Sequence, residues 1–325
     1  MAIVEPQTAL HGWWRWLYAE PTTWPLRRLF WSGDLPQPDD AADPAWVAAV
    51  LTTILEEGNA ADWRLIRWDS VWPIWDKLPI SPTYRPFWEL YRKEEDAMNR
   101  REQVLDAEQH QILRLASGVL PSYGFELAGG TALAAGYLGH RLSQDLDLFA
   151  PPMGQPQWTE AVNAVLTVWT TAGLSAQRDS AAPSSGFVRL WVGQRPVKIE
   201  LAQDSPYRLA PSDRQVDGMP VRSLKDLAAD KTLALFDRAT TRDFVDVYLL
   251  LQHYELSQLM AWAQQKDSGF DRDWFIRALM HAEKVQPHRV TVLVPLDWDH
   301  LRLTFRQAAL RLEREAREAK QENDR

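Results

Sequence analysis

Three acidic side chains carry the chemistry that this sequence could perform. Asp145 and Asp147 stand two residues apart in a segment that alternates like a strand, so both face one side and Leu146 and Leu148 face the other. Neighbouring carboxylates repel each other unless cations separate them, and hard oxygen ligands of this kind suit Mg²⁺ or Mn²⁺. Glu200 lies on the polar face of another predicted strand, which could lie next to the first. Together the three acids predict a two-metal site for phosphoryl transfer.

Two glycines and a turn precede the acidic pair. Gly129 and Gly130 allow the backbone to turn and approach a ligand, and Thr131 is predicted to open a helix whose free N–H groups attract phosphate. Arg141 and Ser143 lie in the turn before the acidic pair and are candidates for phosphate or base contacts. The ordinary alternatives are tight turns here and a solvent-exposed strand face for the acids.

A lysine lies in the middle of an apolar helix face. Lys231 shares that face with Leu224, Leu227, Ala228, Ala234 and Leu235. Such a lysine either extends to solvent or meets a buried anion, and a triphosphate would be such an anion. Asp246 also leans inward on its predicted helix and could orient Lys231, Arg238 or Arg242. A purely structural salt bridge is the alternative.

These residues fall in four motifs that resemble those of the AbiEii/AbiGii-type nucleotidyltransferase toxins. The motifs are GGTAL at 129–133 with RLSQDLDL at 141–148, KIEL at 198–201, SLKDLAADK at 223–231 and RDFVDV at 242–247. Four motifs in the right order make the resemblance specific. It covers roughly residues 106–254.

The resemblance implies an α+β protein with a polymerase-β-like nucleotidyltransferase core, a small mixed sheet with flanking helices, and a helical C-terminal part. It implies Asp145 and Asp147 as metal ligands, Lys231 as a phosphate-binding or catalytic residue, and Asp246 as a further active-site acid. We expect Glu200 to complete the site as third ligand or as base. The residues expected to bind the nucleotide are Gly129, Gly130, Thr131, Arg141, Ser143 and Arg242.

The resemblance also implies a toxin of a toxin–antitoxin or phage-defence system. Its substrate would be an NTP, and some relatives add nucleotides to the acceptor end of tRNA. A cognate antitoxin is the implied partner. Two alternatives remain: a nucleotidyltransferase that modifies antibiotics or other small molecules, and a transferase-like domain that only binds a protein. The intact acids and Lys231 argue against the second.

The chain is expected to form three domains: a helical, tryptophan-rich domain at 1–95, the transferase core at 96–222 and a helical domain at 223–325. Period-two alternation predicts strands at 124–128, 145–149, 174–178, 187–192 and 196–202. Residues 87–115 are predicted to form one long helix, and residues 158–172 another. The chain from residue 224 onward is predicted to be helical, with breaks near Pro287 and Pro295.

The N-terminal region departs from the toxin pattern. It resembles a small uncharacterised helical domain that is often encoded beside such toxins, on the segments 29–31, 55–58, 62–64 and 86–88. Residues 1–100 carry ten Lys and Arg against fifteen Asp and Glu. We therefore expect its tryptophans to form a core and not a base-stacking surface, and the domain to restrain the transferase through protein contacts.

Composition excludes several classes of function. The net charge of −8 gives no overall basic field, so a nucleic-acid partner needs a local basic patch. The absence of cysteine excludes disulfides and thiolate zinc sites. No apolar stretch has the length of a membrane span. We expect a cytoplasmic enzyme without a membrane partner.

Overall fold

The computed structural model describes residues 44–59, 63, 66, 68–179 and 186–323, apart from the side chains of 44–47, 69–70, 319–320 and 322–323. The chain divides into two compact units, Met1–Glu94 and Glu95–Arg325. The domain boundaries expected from the sequence, after residues 95 and 222, stay predictions. The tryptophans Trp13, Trp14, Trp16, Trp24 and Trp31, for which a core was expected, lie outside the described residues.

The first unit is helical in its described part. It contains α1 (Pro44–Glu57), α2 (Trp68–Val71), a 3₁₀ helix (Trp72–Lys77) and the start of α3 (Arg85–Glu102). Trp68, Trp75 and Trp88 are buried in an apolar cluster with the residues of α1. The indole of Trp88 donates to the carbonyl of Leu55 at 3.2 Å. The described tryptophans therefore fill a core, as predicted.

The prediction of a single long helix at 87–115 is wrong. Two helices occupy the region, α3 and α4 (Ala107–Ser117), because Asp106 and Gln109 form a capping box that starts a new helix. Each backbone N–H is bound by the other residue's side chain at 2.9 Å. The amide of Gln109 also donates to the carbonyls of Ser143 and Gln144. The start of α4 thereby holds the loop that leads to Asp145.

A seven-stranded mixed sheet forms the centre of the second unit in the described residues, in the order β3-β4-β5-β2-β1-β7-β6. The β2–β5 and β1–β7 pairs are parallel and the other neighbours are antiparallel. The strands are β1 (Glu126–Ala128), β2 (Leu146–Ala150), β3 (Ala176–Arg178), β4 (Phe187–Val192), β5 (Val197–Gln203), β6 (Arg214–Val216) and β7 (Met219–Val221). The sequence predicted the first five and missed the last two.

Helices pack against strands of this sheet and complete the α+β fold. They are α5 (Gly129–Leu133), continued by a π-helical turn (Ala134–Leu138), α6 (Gln155–Thr171), α7 (Leu224–Asp237), α8 (Thr241–Leu250), α9 (Leu256–Lys266), α10 (Arg272–Met280) and α11 (Trp298–Asn323). Short 3₁₀ turns lie at Leu120–Tyr123, His281–Lys284 and Pro287–Arg289. The helical part predicted from residue 224 is confirmed, with a longer non-helical stretch before α11 than expected.

Alternation along the two central strands separates the core from the polar face. Leu146 and Leu148 on β2, and Ile199 and Leu201 on β5, are fully buried in the main apolar cluster. The residues between them remain partly exposed. Burying these leucines fixes the register, because a slip by one residue would turn every apolar side chain outward. Among the residues that the structure describes, no helix has both the length and the apolar character to cross a bilayer.

Candidate active site

The three acids lie together on the polar face of the sheet. Asp147 on β2 is the direct register partner of Glu200 on the adjacent parallel strand β5. Asp145 immediately precedes β2 and keeps the alternation, partly exposed where Leu146 is buried. The structure therefore brings together the three residues that the sequence predicted as a carboxylate cluster.

Two basic side chains neutralise part of this cluster. The Lys198 ammonium lies 2.9 Å from Asp145 Oδ2 and 3.4 Å from Glu200 Oε1. Arg189 on β4 donates to the same Glu200 oxygen from Nε at 2.9 Å and from Nη2 at 2.8 Å. The sequence interpretation included neither base as a site residue. Both could have been found from the alternation of their strands, because Lys198 shares the polar face of β5 with Glu200 and Arg189 lies between the buried Val188 and Leu190 on β4.

The carboxylate of Asp147 has a different environment. Burial raises its pKa above the ordinary value, and the charges of Glu200 and Asp145 raise it further, while Lys231 and Lys198 act in the opposite direction. Its side chain lies directly over Gly129, where a Cβ would be 2.0 Å from Oδ2. Gly129 also has a φ of +66°, which residues with side chains avoid. Glycine at this position therefore leaves room for the acid.

This close approach predicts the effect of Gly129→Ala. The new methyl group would displace the Asp147 carboxylate, and a displacement of about 1 Å at a reacting centre can cost roughly a hundredfold in rate. The left-handed backbone should also cost about 1 kcal/mol of stability. Initial rates of nucleotide transfer and the free energy of unfolding measure the two effects.

Gly173→Ala is the matched control, because Gly173 has a φ of +83° and no atom within 4 Å of an added Cβ. It should lose similar stability and keep its activity. Equal activity of the two variants would contradict the positioning role of Gly129.

Asp246 organises a buried cluster beside the acids. It is fully buried, and its Oδ1 accepts from Arg141 Nε at 2.7 Å and from His140 Nε2 at 2.8 Å. Its Oδ2 accepts from Arg141 Nη2 at 2.9 Å and lies 2.9 Å from Lys231 Nζ. Burial alone would raise the pKa of Asp246, but Arg141, Lys231 and His140 together hold it well below its usual range. The buried anion that meets Lys231 is therefore the carboxylate of Asp246.

Other predicted partners of Asp246 lie elsewhere. Arg238 donates to Asp243 at 2.8 and 3.0 Å and not to Asp246. Arg242 lines an open cleft. His140, which the sequence interpretation missed, is buried and its pKa is lowered by that burial. Since a carboxylate only accepts hydrogen bonds, the neutral ring must carry its proton on Nε2.

The turn before the acidic pair is held by side chains that were predicted to bind nucleotide. The Thr131 hydroxyl is buried, donates to the Asp145 carbonyl and accepts a hydrogen bond from the Ser143 hydroxyl. Thr131 lies inside α5, which begins at Gly129 and not at Thr131 as predicted. A Cβ on Gly130 would lie 2.4 Å from Arg141 Nη2. The direct structural role of these residues is to fix the turn, and their contact with nucleotide stays a prediction.

A cleft of about 1200 Å³ opens beside Asp145. Its walls include Asp145, Ser143 and Gln109, and the exposed aromatic ring of Trp191, which is the register partner of Lys198. Its basic lining residues are Arg195, Lys198, Arg242, Lys284 and Arg289. These five bases outnumber the two acids of the lining, Asp106 and Asp145, so the cleft is locally basic on an acidic protein.

The donor chemistry of the cluster fits a hard divalent cation. Carboxylates of Asp145, Asp147 and Glu200 share one face. Burial raises the pKa of Asp147 most, and the negative charges of Glu200 and Asp145, which a cation would offset, raise it further. In the part of the chain that the structure describes, no three His, Cys, Asp or Glu side chains are close enough to hold one metal ion as they stand. Lys198 lies between two of the acids.

One family model matches this chain over more than half of its length. The family model described as Nucleotidyl transferase AbiEii toxin, Type IV TA system, matches residues 112–322. Similar solved structures include JHP933 from Helicobacter pylori, with a TM-score of 0.39 and 18% identity over 69% of this chain and 97% of that one. They also include the nucleotidyltransferase toxin MenT4 from Mycobacterium tuberculosis, with a TM-score of 0.44 and 18% identity over 70% of this chain and 91% of that one. A search of curated protein sequences found no match.

Proposed function

Because this chain belongs to the AbiEii nucleotidyltransferase toxin family of type IV toxin–antitoxin systems, we propose that it transfers a nucleoside monophosphate from an NTP to an acceptor hydroxyl at the Asp145–Asp147–Glu200 cluster. The observation that carries this proposal is the register of β2 and β5, which sets Asp147 beside Glu200 on one face. Without that register Glu200 would not lie beside the acidic pair of β2.

The acids and bases then have separate roles. Asp145 and Asp147 would hold Mg²⁺ or Mn²⁺, with Glu200 as third ligand or as the base that accepts the hydroxyl proton. The bound metal would supply charge neutralisation at the triphosphate and activate the hydroxyl. Lys231 and Arg141 would stabilise negative charge on the phosphates as pyrophosphate leaves. Asp246 would act as a positioning residue, because its two oxygens are already bound to both bases.

The cleft supports an RNA acceptor. A volume of about 1200 Å³ is larger than a typical small-molecule pocket. Basic side chains along its walls suit a phosphate backbone, and an exposed Trp191 suits stacking on an unpaired base. We therefore favour the acceptor end of a tRNA over an antibiotic as the acceptor. Modification of tRNA would block translation, and we propose that this block serves phage defence.

The family implies an antitoxin that opposes the enzyme. We also propose that the N-terminal unit contributes to this restraint. Its acidic composition and its tryptophan core suit contact with protein better than contact with phosphate.

Labelled NTPs test the acceptor. Full-length protein, Mg²⁺ and each NTP are incubated in turn with total RNA, tRNA, protein and aminoglycosides. We expect label in tRNA, lost in the Asp145→Ala/Asp147→Ala double variant, and faster transfer when residues 1–95 are deleted. Label in aminoglycosides would support an antibiotic-modifying enzyme instead. Equal growth inhibition by wild type and double variant, without transfer, would support a protein-binding module.

A further inference from the structure

Lys198 occupies the space between two acids of the candidate site. Its ammonium is 2.9 Å from Asp145 Oδ2 and 3.4 Å from Glu200 Oε1. In the described part of the chain, it is the one basic side chain that forms an ion pair with Asp145. A positive charge therefore already lies where two carboxylates of a metal site converge.

The two acids depend on Lys198 to different degrees. Glu200 also binds Arg189, at 2.8 Å from Nη2, so it keeps a cation if Lys198 moves away. Asp145 has no such second base among the described residues. The cluster is thus arranged so that withdrawal of one lysine exposes the Asp145 carboxylate while Glu200 stays fixed.

Lys198 also has room to move. Its side chain is 26% exposed and lines the 1200 Å³ cleft, next to Trp191. Lysine has a flexible four-carbon stem and a single point charge, so its ammonium can exchange one anionic partner for another without a change of backbone. Nucleotide phosphates entering through the cleft would offer such a partner.

We propose that Lys198 is a built-in cation that holds Asp145 and Glu200 together until a divalent metal ion displaces its ammonium toward the cleft. The proposal rests on the proposed function in one respect, namely that these acids bind a divalent ion. The ammonium and the metal compete for the same Asp145 oxygens, which weakens binding of the bare ion. A nucleotide relieves this competition because its phosphates bind the displaced ammonium.

Mn²⁺ binding to the full-length protein without NTP tests this competition. Free Mn²⁺ is measured by its electron paramagnetic resonance signal during titration. Lys198→Met should bind Mn²⁺ about five- to tenfold more tightly than wild type, in line with the loss of one partly exposed ion pair next to a divalent charge. Lys198→Arg should remain close to wild type. With ATP present, Lys198→Met should have a raised KM for the nucleotide.

Lys225→Met is the matched control, because it removes the same charge from a lysine that lies against the Trp262 ring. Its Mn²⁺ affinity should stay within about twofold of wild type. Asp145→Asn should lose Mn²⁺ binding. Far-ultraviolet circular dichroism checks folding, and Lys198→Gln replaces the methionine variant if that variant does not fold.

Three results would overturn the proposal: unchanged or weaker Mn²⁺ binding by Lys198→Met, equal tightening by Lys225→Met, or no Mn²⁺ binding by any variant. The titration contains no NTP and no acceptor. Tighter Mn²⁺ binding by a protein that transfers nothing would therefore refute the proposed function and leave the role of Lys198 intact. Normal transfer by wild type, together with unchanged Mn²⁺ binding by Lys198→Met, would support the proposed function and refute the role of Lys198.

Discussion

Asp147→Asn is expected to reduce nucleotide transfer by about a thousandfold, or ~4 kcal/mol of transition-state stabilisation, because the amide is a poor ligand for a hard cation. The substitution keeps the shape of the side chain over Gly129. Since burial and the charge of Glu200 raise the pKa of Asp147, removing its charge should leave the unliganded protein equally stable or slightly more stable. Loss of activity with retained stability is typical of a functional site.

Rates of labelled-nucleotide incorporation and thermal unfolding of the same preparations measure both effects. Asp299→Asn makes the same chemical change at a side chain that is 95% exposed, and it should alter neither the transfer rate nor the unfolding temperature. A variant at Asp147 that retained transfer within about tenfold of wild type would argue that this carboxylate is not a metal ligand. A variant that lost activity together with its fold would point to a structural role instead.

The position of the acids could be predicted in part. Period two placed Asp147 on the polar face of its strand and Glu200 on the polar face of another, and both predictions are confirmed. Their adjacency could not be derived from pattern alone. It depends on a crossover through α6, β3 and β4 that returns the chain to the other side of β2, and no local signal specifies which strands become neighbours.

Some missed elements had readable signals. Asp217-Gly218 lies between β6 and β7, and both residues have positive φ, at 50° and 83°. Asp-Gly favours a tight hairpin between the short segments on either side of it, so these two strands could have been predicted from the sequence. Asp106 and Gln109 likewise have the spacing of a capping box, which would have divided the helix predicted at 87–115.

The charged interior was harder to foresee. Helical periodicity correctly predicted that Lys231 and Asp246 face inward, but it could not identify the residues that bind them. His140 and Arg141 reach Asp246 from a turn more than a hundred residues away. That turn is held by the segment before α11, where the Leu293 N–H donates to the His140 carbonyl at 2.8 Å. Contacts of this kind depend on tertiary packing and leave no periodic trace in the sequence.

Asp246→Asn is expected to be the most destabilising single substitution in the site, lowering the free energy of unfolding by about 3–5 kcal/mol. The variant would leave Arg141 and Lys231 buried without their anion, and both have little access to water. Transfer should also fall, because the two bases lose their alignment. Denaturant unfolding at neutral pH and transfer rates below the unfolding temperature separate the two losses.

Asp243→Asn is the matched control on the same helix. Asp243 is also fully buried, but its partner Arg238 is 57% exposed and can reach solvent when the anion is lost. We therefore expect Asp243→Asn to lower the free energy of unfolding by about 1–2 kcal/mol, mainly because the cap at Thr240 is lost. Equal losses of unfolding free energy at both positions would contradict the explanation that the two buried cations beside Asp246 cause its larger effect.

The pH dependence of the stability difference between wild type and Asp246→Asn gives a second test. The pKa of Asp246 in the folded protein lies well below its unfolded value of about 4. A group with a lowered folded pKa stabilises the protein fully above its unfolded pKa, and this contribution disappears as the pH falls through the folded pKa. The gap between wild type and Asp246→Asn should therefore stay constant from about pH 5 to 8 and narrow below about pH 4. A gap that instead changed between about pH 6 and 7 would assign the stabilisation to protonation of His140, whose neutral state the buried cluster requires.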